Sequence, residues 1–363
     1  MLVSILGDFH SSIFPIFFEF KDSIDTHIII HDDAFSEQSK SNKILTSLKH
    51  FSHKNSLNIK TQNYKIDEDS LESILKLIEH IKSTANSLED LYINTTDGLS
   101  NIGVVLGAKL LDSGVKLLSY DMYENSYNLT STESITTQKL KSKMSIKDHF
   151  LFKGLNVSDF EDKEFAHKYE TYIRDLFENH YDEFSIMKRD ITGNKKSNQH
   201  QYPNALKLIK RMNLNIKTSH KSITGGLFEF YIYLLVKDLG FDDIEIGMVI
   251  EDKFSNNVSV RNEFDLLLMK DNHLHMIECK FTKNIDMQAL VYKYSSLINL
   301  IDDDGRIIIL TGKTVYSHDL YGSTYQGLEH HRRALVNKIL VRGSILKNKN
   351  DFIDDVKSYF NLY

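Results

Sequence analysis

The sequence predicts an α/β protein of two or three domains, and three observations predict it. Strand-like and helix-period segments alternate from Met1 to about Leu129, the pattern of a mostly parallel sheet with crossover helices. From Thr224 to Leu310 the order is helix, strand, strand, strand, helix, strand. At 363 residues the chain is longer than one domain usually is.

The elements follow in order. Leu2 to Leu6 reads as a short buried strand, followed by the loop Gly7-Asp8-Phe9-His10-Ser11-Ser12, and Thr26 to His31 reads as a second strand. Ile44, Leu45 and Leu48 have helical spacing, Ile59 to Ile66 is a strand, and Leu71, Ile74, Leu75, Ile78 and Ile81 recur at helix period. Leu91 to Asn94 is the next strand, and the loop Thr95-Thr96-Asp97-Gly98-Leu99-Ser100-Asn101 leads into a helix marked by Val104, Leu106, Leu110 and Leu111. Gly114 ends it before the strand Val115 to Tyr120. Ligands of such sheets bind beyond the carboxyl ends of the strands. Small hydroxyl residues and glycine at a helix start suit a phosphate, although the same residues also serve as ordinary helix caps. Asp97 would repel a phosphate and instead suits a ribose hydroxyl or an adenine amino group.

Residues 131–215 read as a connector with some helical content. Ser131 to Thr137 is polar and turn-rich, Asp148 to Leu155 is a short helix with a glycine stop at Gly154, Glu164 to Phe184 has helical spacing, and Thr192 to Ser197 is a loop. Thr224-Gly225-Gly226 then opens the run Leu227 to Leu239, closed by Gly240. Its acid, Glu229, is flanked by apolar and aromatic residues. Either it needs a partner, because an unpaired buried charge is costly, or it sits in the first helical turn as a dipole-favoured residue.

Composition sets bounds. With 41% hydrophobic and 26% charged residues the chain is ordinary for a globular protein, and its single cysteine, Cys279, excludes an internal disulfide and a cysteine zinc cage. No apolar run is long enough to span a membrane, and Met1-Leu2-Val3 lacks a basic leader. The cytoplasm is the expected location. The net charge of −6 is uneven, with −7 in residues 1–200 and +1 in residues 201–363, so a polyanion would have to be bound locally in the second part.

The most informative stretch is Asn262 to Phe281. Two apolar runs flank Lys270-Asp271-Asn272-His273, which predicts a hairpin turning at Asp271-Asn272. With that loop Lys270 faces His273 and Asp265 faces Glu278. Opposed like charges destabilise a sheet. Alternation puts Lys280 on the face of Glu278 and turns Cys279 the other way. Two hard carboxylates this close fit Mg²⁺ or Mn²⁺, and the lysine is suited to orient or help deprotonate water and to stabilise charge on a phosphate. A charged patch on a solvent-facing strand would show the same three residues. Ile244 to Ile250 precedes the hairpin as a strand; a helix from about Asp286 to Leu300 and the strand Arg306 to Leu310 follow it. Gln288 and Tyr292 stand four apart on that helix and share a face, and Lys293, Arg332 and Arg333 are candidates for phosphate contact.

The spacing Asp265-x12-Glu278-Cys279-Lys280 resembles the PD-(D/E)xK nuclease motif. With Gly225-Gly226-Leu227-Phe228-Glu229 and Asn262-Glu263-Phe264-Asp265, the chain resembles the CRISPR-associated nucleases that join an N-terminal CARF domain, a Rossmann-like sensor, to a C-terminal PD-(D/E)xK domain of restriction-endonuclease-like fold. Gln288 and Tyr292 resemble the Q-x3-Y element of some of these nucleases. The resemblance implies a sensor over residues 1–130, the connector, and a nuclease domain over 216–363. It further implies a homodimer that binds a cyclic oligoadenylate, with cyclic tetra-adenylate the expected ring, through the Gly7–Ser12 and Thr95–Asn101 loops. The activated protein would then cut DNA or RNA in antiviral CRISPR defence. Asp265 and Glu278 would be metal ligands for Mn²⁺ or Mg²⁺, Lys280 the catalytic lysine, Glu229 an additional acid, and Gln288 a support for the metal site or substrate. Two alternatives stay open: a non-catalytic nucleotide-sensing regulator, and a repair or restriction nuclease without cyclic-nucleotide control.

Overall fold

The computed structural model describes residues 1–7, 13–32, 35–96, 101–159, 163–193, 199–215, 219, 221–252, 261–280, 287–301, 305–311, 332–343 and 349–362. They form two compact units: Met1–Asn156 with Asp252–Ser259, and Val157–Glu251 with Val260–Tyr363. The segment 131–215, read from sequence as a connector, is divided between them.

The first unit is built on a seven-stranded sheet. Its strands are β1 (Leu2–Ile5), β2 (Thr26–Asp32), β3 (Lys60–Ile66), β4 (Tyr92–Asn94), β5 (Lys116–Asp121), β6 (Ser126–Thr130) and β7 (Ile135–Lys139). Their order is β3-β2-β1-β4-β5-β6-β7. Neighbours from β3 through β5 run parallel, and β6 and β7 are antiparallel additions. The crossovers are α1 (Ile13–Phe20), α2 (Phe35–Lys54), α3 (Leu71–Thr84) and α4 (Asn101–Leu110), and α5 (Ile146–Phe152) follows β7.

Because both faces of the parallel strands are covered, β1 and β2 are buried along almost their whole length, and their interior polar pair, Ser4 Oγ and His27 Nε2, is hydrogen-bonded at 2.9 Å. Leu2 and Ile29 enter one core with Phe14, Phe17, Leu48, Phe51 and Phe152. Val3, Ile5, Ile28 and Ile30 enter the opposite core with Ile74, Leu77, Ile78 and Ile81 of α3. Ser70 caps α3 by accepting from the Ser73 N–H at 3.3 Å, and Ser145 caps α5 by accepting from the Asp148 N–H at 3.1 Å. Helix α1 was not legible in the sequence because Ile13-Phe14-Pro15-Ile16-Phe17-Phe18 is apolar throughout and shows no period. Strand β7 is exposed along its whole length, so it lacks the alternation that marks half-buried strands.

The second unit holds a six-stranded sheet in the order β13-β12-β11-β10-β9-β8. Its strands are β8 (Leu155–Asp159), β9 (Asp243–Asp252), β10 (Arg261–Lys270), β11 (His273–Lys280), β12 (Ile307–Thr311) and β13 (Ile339–Arg342). β9, β10 and β11 pair antiparallel, whereas β11, β12 and β13 pair parallel. Helices α6 (Lys163–Lys168), α7 (Glu170–Glu178), α8 (Tyr181–Thr192), α9 (Pro203–Arg211), α10 (Leu227–Val236), α11 (Met287–Ile301) and α12 (Lys349–Tyr359) complete the unit. At the centre of its core is α10, buried at every position except Glu229 and preceded by a π-turn over Ser222–Gly226. Each fully buried side chain of this kind contributes about 1.5–3 kcal/mol, so this helix anchors the unit. The helix ends at Val236 with Lys237 as its cap, short of the run Leu227 to Leu239 that the sequence predicts, and Gly240, at φ 100°, lies in the turn beyond it.

Candidate functional site

The hairpin turns where the sequence predicts. Asp271 and Asn272 have φ of 51° and 65°, the pair of positive values that a two-residue type I′ loop requires. The register runs from Lys270↔His273 to Leu266↔Ile277, so the next opposed positions are Asp265 and Glu278. The ladder gives way there to a side chain, and Asp265 Oδ2 accepts the Cys279 N–H at 2.7 Å. Cys279 joins the core on the other face, as period-two alternation demands.

Asp265, Glu278 and Lys280 come together. The Lys280 Nζ lies 3.9 Å from Asp265 Oδ2 and in direct contact with Glu278 Oε1. The side chains of Glu278, Asp265 and Lys280 are 2%, 15% and 32% exposed, so the cradle is deep at the glutamate and open at the lysine. Burial, then the Glu278 charge, pushes the Asp265 carboxyl up to about 7, against the opposing pull of Lys280 and the Cys279 N–H. Burial by itself would lower the Lys280 ammonium, yet Glu278 and Asp265 outweigh it and raise it above the ordinary lysine value. Lys280 is therefore a cation in this arrangement, fitted to orient water and stabilise an anion rather than to take a proton.

The cradle suits a divalent cation. Glu278 Oε2 is buried and has no hydrogen-bond partner, an expense that a cation would relieve. Mg²⁺ is commonly held by one or two carboxylates with waters and substrate phosphates completing the shell. Among the described residues no group of three or more His, Cys, Asp or Glu side chains is arranged around one metal position, so the protein would contribute the Asp265–Glu278 pair.

Glu229 is half-buried in the first turn of α10. It lies next to the glycine pair: a Cβ at Gly225 would meet Glu229 Oε1 at 3.6 Å. Its charge also reaches the Cys279 thiol, which burial first, then Asp265, Glu229 and Glu278, push well up.

Helix α11 contributes differently from the sequence reading. Gln288 and Tyr292 do share a face, but it is the exposed one, where Arg333 stacks 4.4 Å above the Tyr292 ring. The residue of α11 that reaches the cradle is Tyr294, 1% exposed, whose hydroxyl hydrogen-bonds to Glu278. Lys293 donates to the Tyr294 hydroxyl at 3.1 Å. A usable signal was present: Val291 and Tyr294 form the buried stripe, whereas Gln288 and Tyr292 lie off it. Arg332 is exposed.

In the first unit the two candidate loops leave the carboxyl ends of adjacent strands. β1 and β4 pair in parallel, Leu2↔Tyr92 to Ser4↔Asn94, and the strand order reverses between them, which makes this the topological switch point where open sheets bind ligands. Asp8, Phe9, His10, Ser11, Ser12, Asp97 and Gly98 lie outside the described residues. Gly7 precedes the first loop, and Asn101 is the exposed first residue of α4. Thr95 and Thr96 use their hydroxyls within the fold. Thr95 Oγ1 donates to the Leu118 carbonyl at 3.0 Å, while Thr96 Oγ1 donates to Asn94 Oδ1 and accepts the Tyr120 N–H at 2.8 Å. These two residues tie β4 to β5 rather than presenting free donors. Beneath them Asn94 is 1% exposed, and its Nδ2 has no hydrogen-bond partner.

Residues 216–307 match the family model of the Card1-like endonuclease domain. No curated protein matches the sequence. Among solved structures, protein VC1899 from Vibrio cholerae aligns with a TM-score of 0.78 at 15% identity, covering 99% of this chain and 98% of that one. Can2 from Sulfobacillus thermosulfidooxidans, solved in complex with cyclic tetra-adenylate, aligns with a TM-score of 0.67 at 14% identity over 99% of both chains. A type III CRISPR defence DNA nuclease activated by cyclic oligoadenylate aligns with a TM-score of 0.51 at 10% identity, over 85% of this chain and 45% of that one. At these identities the likeness is one of fold, and it extends over the whole chain.

Proposed function

We propose that this chain, which has the two-domain architecture of a CARF nuclease with a Card1-like endonuclease domain, hydrolyses phosphodiester bonds of DNA or RNA at the Asp265–Glu278 cradle. The observation that carries the reading is the convergence of both carboxylates on the Lys280 ammonium within the matched endonuclease segment. Asp265 and Glu278 would hold Mg²⁺ or Mn²⁺, which when bound supplies Lewis acidity to the phosphate and a more acidic water. Lys280, held charged beside them, orients the attacking water and stabilises the charge that builds on the phosphate. Glu229 adds negative potential at the same end of α10, and Gln288, on the exposed side of α11, is assigned to substrate.

The crevice between β1 and β4 is assigned to a cyclic oligoadenylate, the ligand class named for two of the structural neighbours, and cyclic tetra-adenylate is the ring expected. A ring of this kind would be shared across the two-fold axis of a homodimer. Occupation shifts activity only if the ring binds one dimer arrangement better than the other. No helix among the described residues is long and apolar enough to cross a membrane, in keeping with the cytoplasmic role in antiviral defence that we assign.

The test is cleavage of labelled DNA and RNA with Mn²⁺ or Mg²⁺, in the presence of cyclic tri-, tetra- or hexa-adenylate. Cutting is expected with metal and one ring together. An Asp265→Ala or Lys280→Ala protein that cuts at the wild-type rate removes the proposal.

A further inference from the structure

Tyr294 is a large polar side chain that the fold has buried almost completely. A phenylalanine would fill the same volume without a hydroxyl to satisfy, and a buried hydroxyl is tolerated only where it finds partners. Its partners here are specific. The hydroxyl hydrogen-bonds to the Glu278 carboxyl and accepts from Lys293 Nζ at 3.1 Å. Lys293 also lies 4.8 Å above the Tyr294 ring.

A hydroxyl rotor has one proton and turns to suit its surroundings. An ammonium can only donate, so Lys293 occupies an acceptor position on the tyrosine oxygen and directs the proton towards Glu278. The glutamate is then held from two sides, by Lys280 on Oε1 and by Tyr294 from α11, while Oε2 keeps no hydrogen-bond partner. Helix α11 is the crossover between the parallel strands β11 and β12, so its packing fixes Tyr294 against the strand that bears Glu278.

We propose that Tyr294 is a positioning residue that orients the Glu278 carboxylate for a divalent cation, with Lys293 setting the direction of its hydroxyl. This rests on the nuclease reading above. It goes beyond it by naming a residue that touches neither substrate nor metal. Partners that orient metal ligands typically contribute about 10–100-fold to metal affinity or activity.

The experiment is Mn²⁺ titration of the full-length protein by calorimetry, paired with cleavage measured across a range of Mn²⁺ concentrations. Tyr294→Phe is expected to weaken Mn²⁺ binding about tenfold, with cleavage recovering towards wild type at saturating Mn²⁺. Lys293→Met is expected to shift both in the same direction by a smaller factor, and it decides the matter if Tyr294→Phe fails to fold. A merely space-filling tyrosine would leave the metal dependence unmoved. Wild-type protein that binds Mn²⁺ beside a Tyr294→Phe protein of equal affinity overturns this proposal alone. Wild-type protein that binds no Mn²⁺ overturns the nuclease reading and this proposal with it.

Discussion

The two candidate sites treat their polar side chains in opposite ways. At the switch point of the first unit, Thr95 and Thr96 spend their hydroxyls on hydrogen bonds that fasten β4 to β5. At the hairpin of the second unit, Glu278 Oε2 is buried without a hydrogen-bond partner, and the Asp265 carboxyl is pushed up by burial and by Glu278. The threonine hydroxyls therefore stabilise the first site, where Asn94 Nδ2 beneath them is the group left without a partner, whereas the second site holds both of its carboxylates at a cost. Polar groups held against their own preference cluster where chemistry is done, so the contrast marks the hairpin as the reactive place and the Thr95–Thr96 corner as scaffold for the neighbouring loops.

The comparison can be broken most decisively at Asp265. Asp265→Asn should lower metal-dependent cleavage by about 10³-fold or more, while leaving intact any thermal stabilisation by a cyclic oligoadenylate. Loss of both together would show that the two sites are not separable.

Stability gives the next test. In chelator at pH 8, Asp265→Asn should be at least as stable as wild type, by up to a few kcal/mol, because it removes a charge the fold holds at a cost. Thr96→Val should instead lose about 1–3 kcal/mol, since the buried Tyr120 N–H is left without its acceptor. Denaturant melts of the two variants measure this, and equal losses would erase the contrast.

The pH dependence sharpens it further. A carboxyl raised to about 7 in the fold, from an ordinary 3.8, binds its proton more tightly folded than unfolded. Its contribution to metal-free stability accordingly falls as pH rises from about 4 to 7 and is level above that. Metal must displace the same proton, so Mn²⁺ affinity should climb through pH 6–7, by at most about tenfold per unit, and flatten by pH 8. In Asp265→Asn the climb should vanish.

The smallest effect concerns the turn. Asn272→Ala, at φ 65°, should destabilise the hairpin unit by about 1 kcal/mol and leave the cradle's metal affinity within twofold, which separates the register from the chemistry it positions.

What the sequence determined by itself was local. Asp271-Asn272 sets a two-residue turn, the turn sets the register, and alternation then brings Asp265, Glu278 and Lys280 to one face and sends Cys279 to the other. Those consequences span fewer than twenty residues and follow from backbone geometry alone. Most of the alternating strands and helices of the first unit, α1, β6 and β7 excepted, were legible for the same reason. The tertiary structure decided what depends on where an element docks. Spacing puts Gln288 and Tyr292 on one face of α11, but only packing against the sheet turns that face outward and Tyr294 inward. Thr95 and Thr96 look like free donors until β5 lies beside β4 and takes their hydroxyls. The reversal of strand order between β1 and β4, which makes a crevice of two loops some ninety residues apart, is likewise set by long-range pairing that no local pattern encodes.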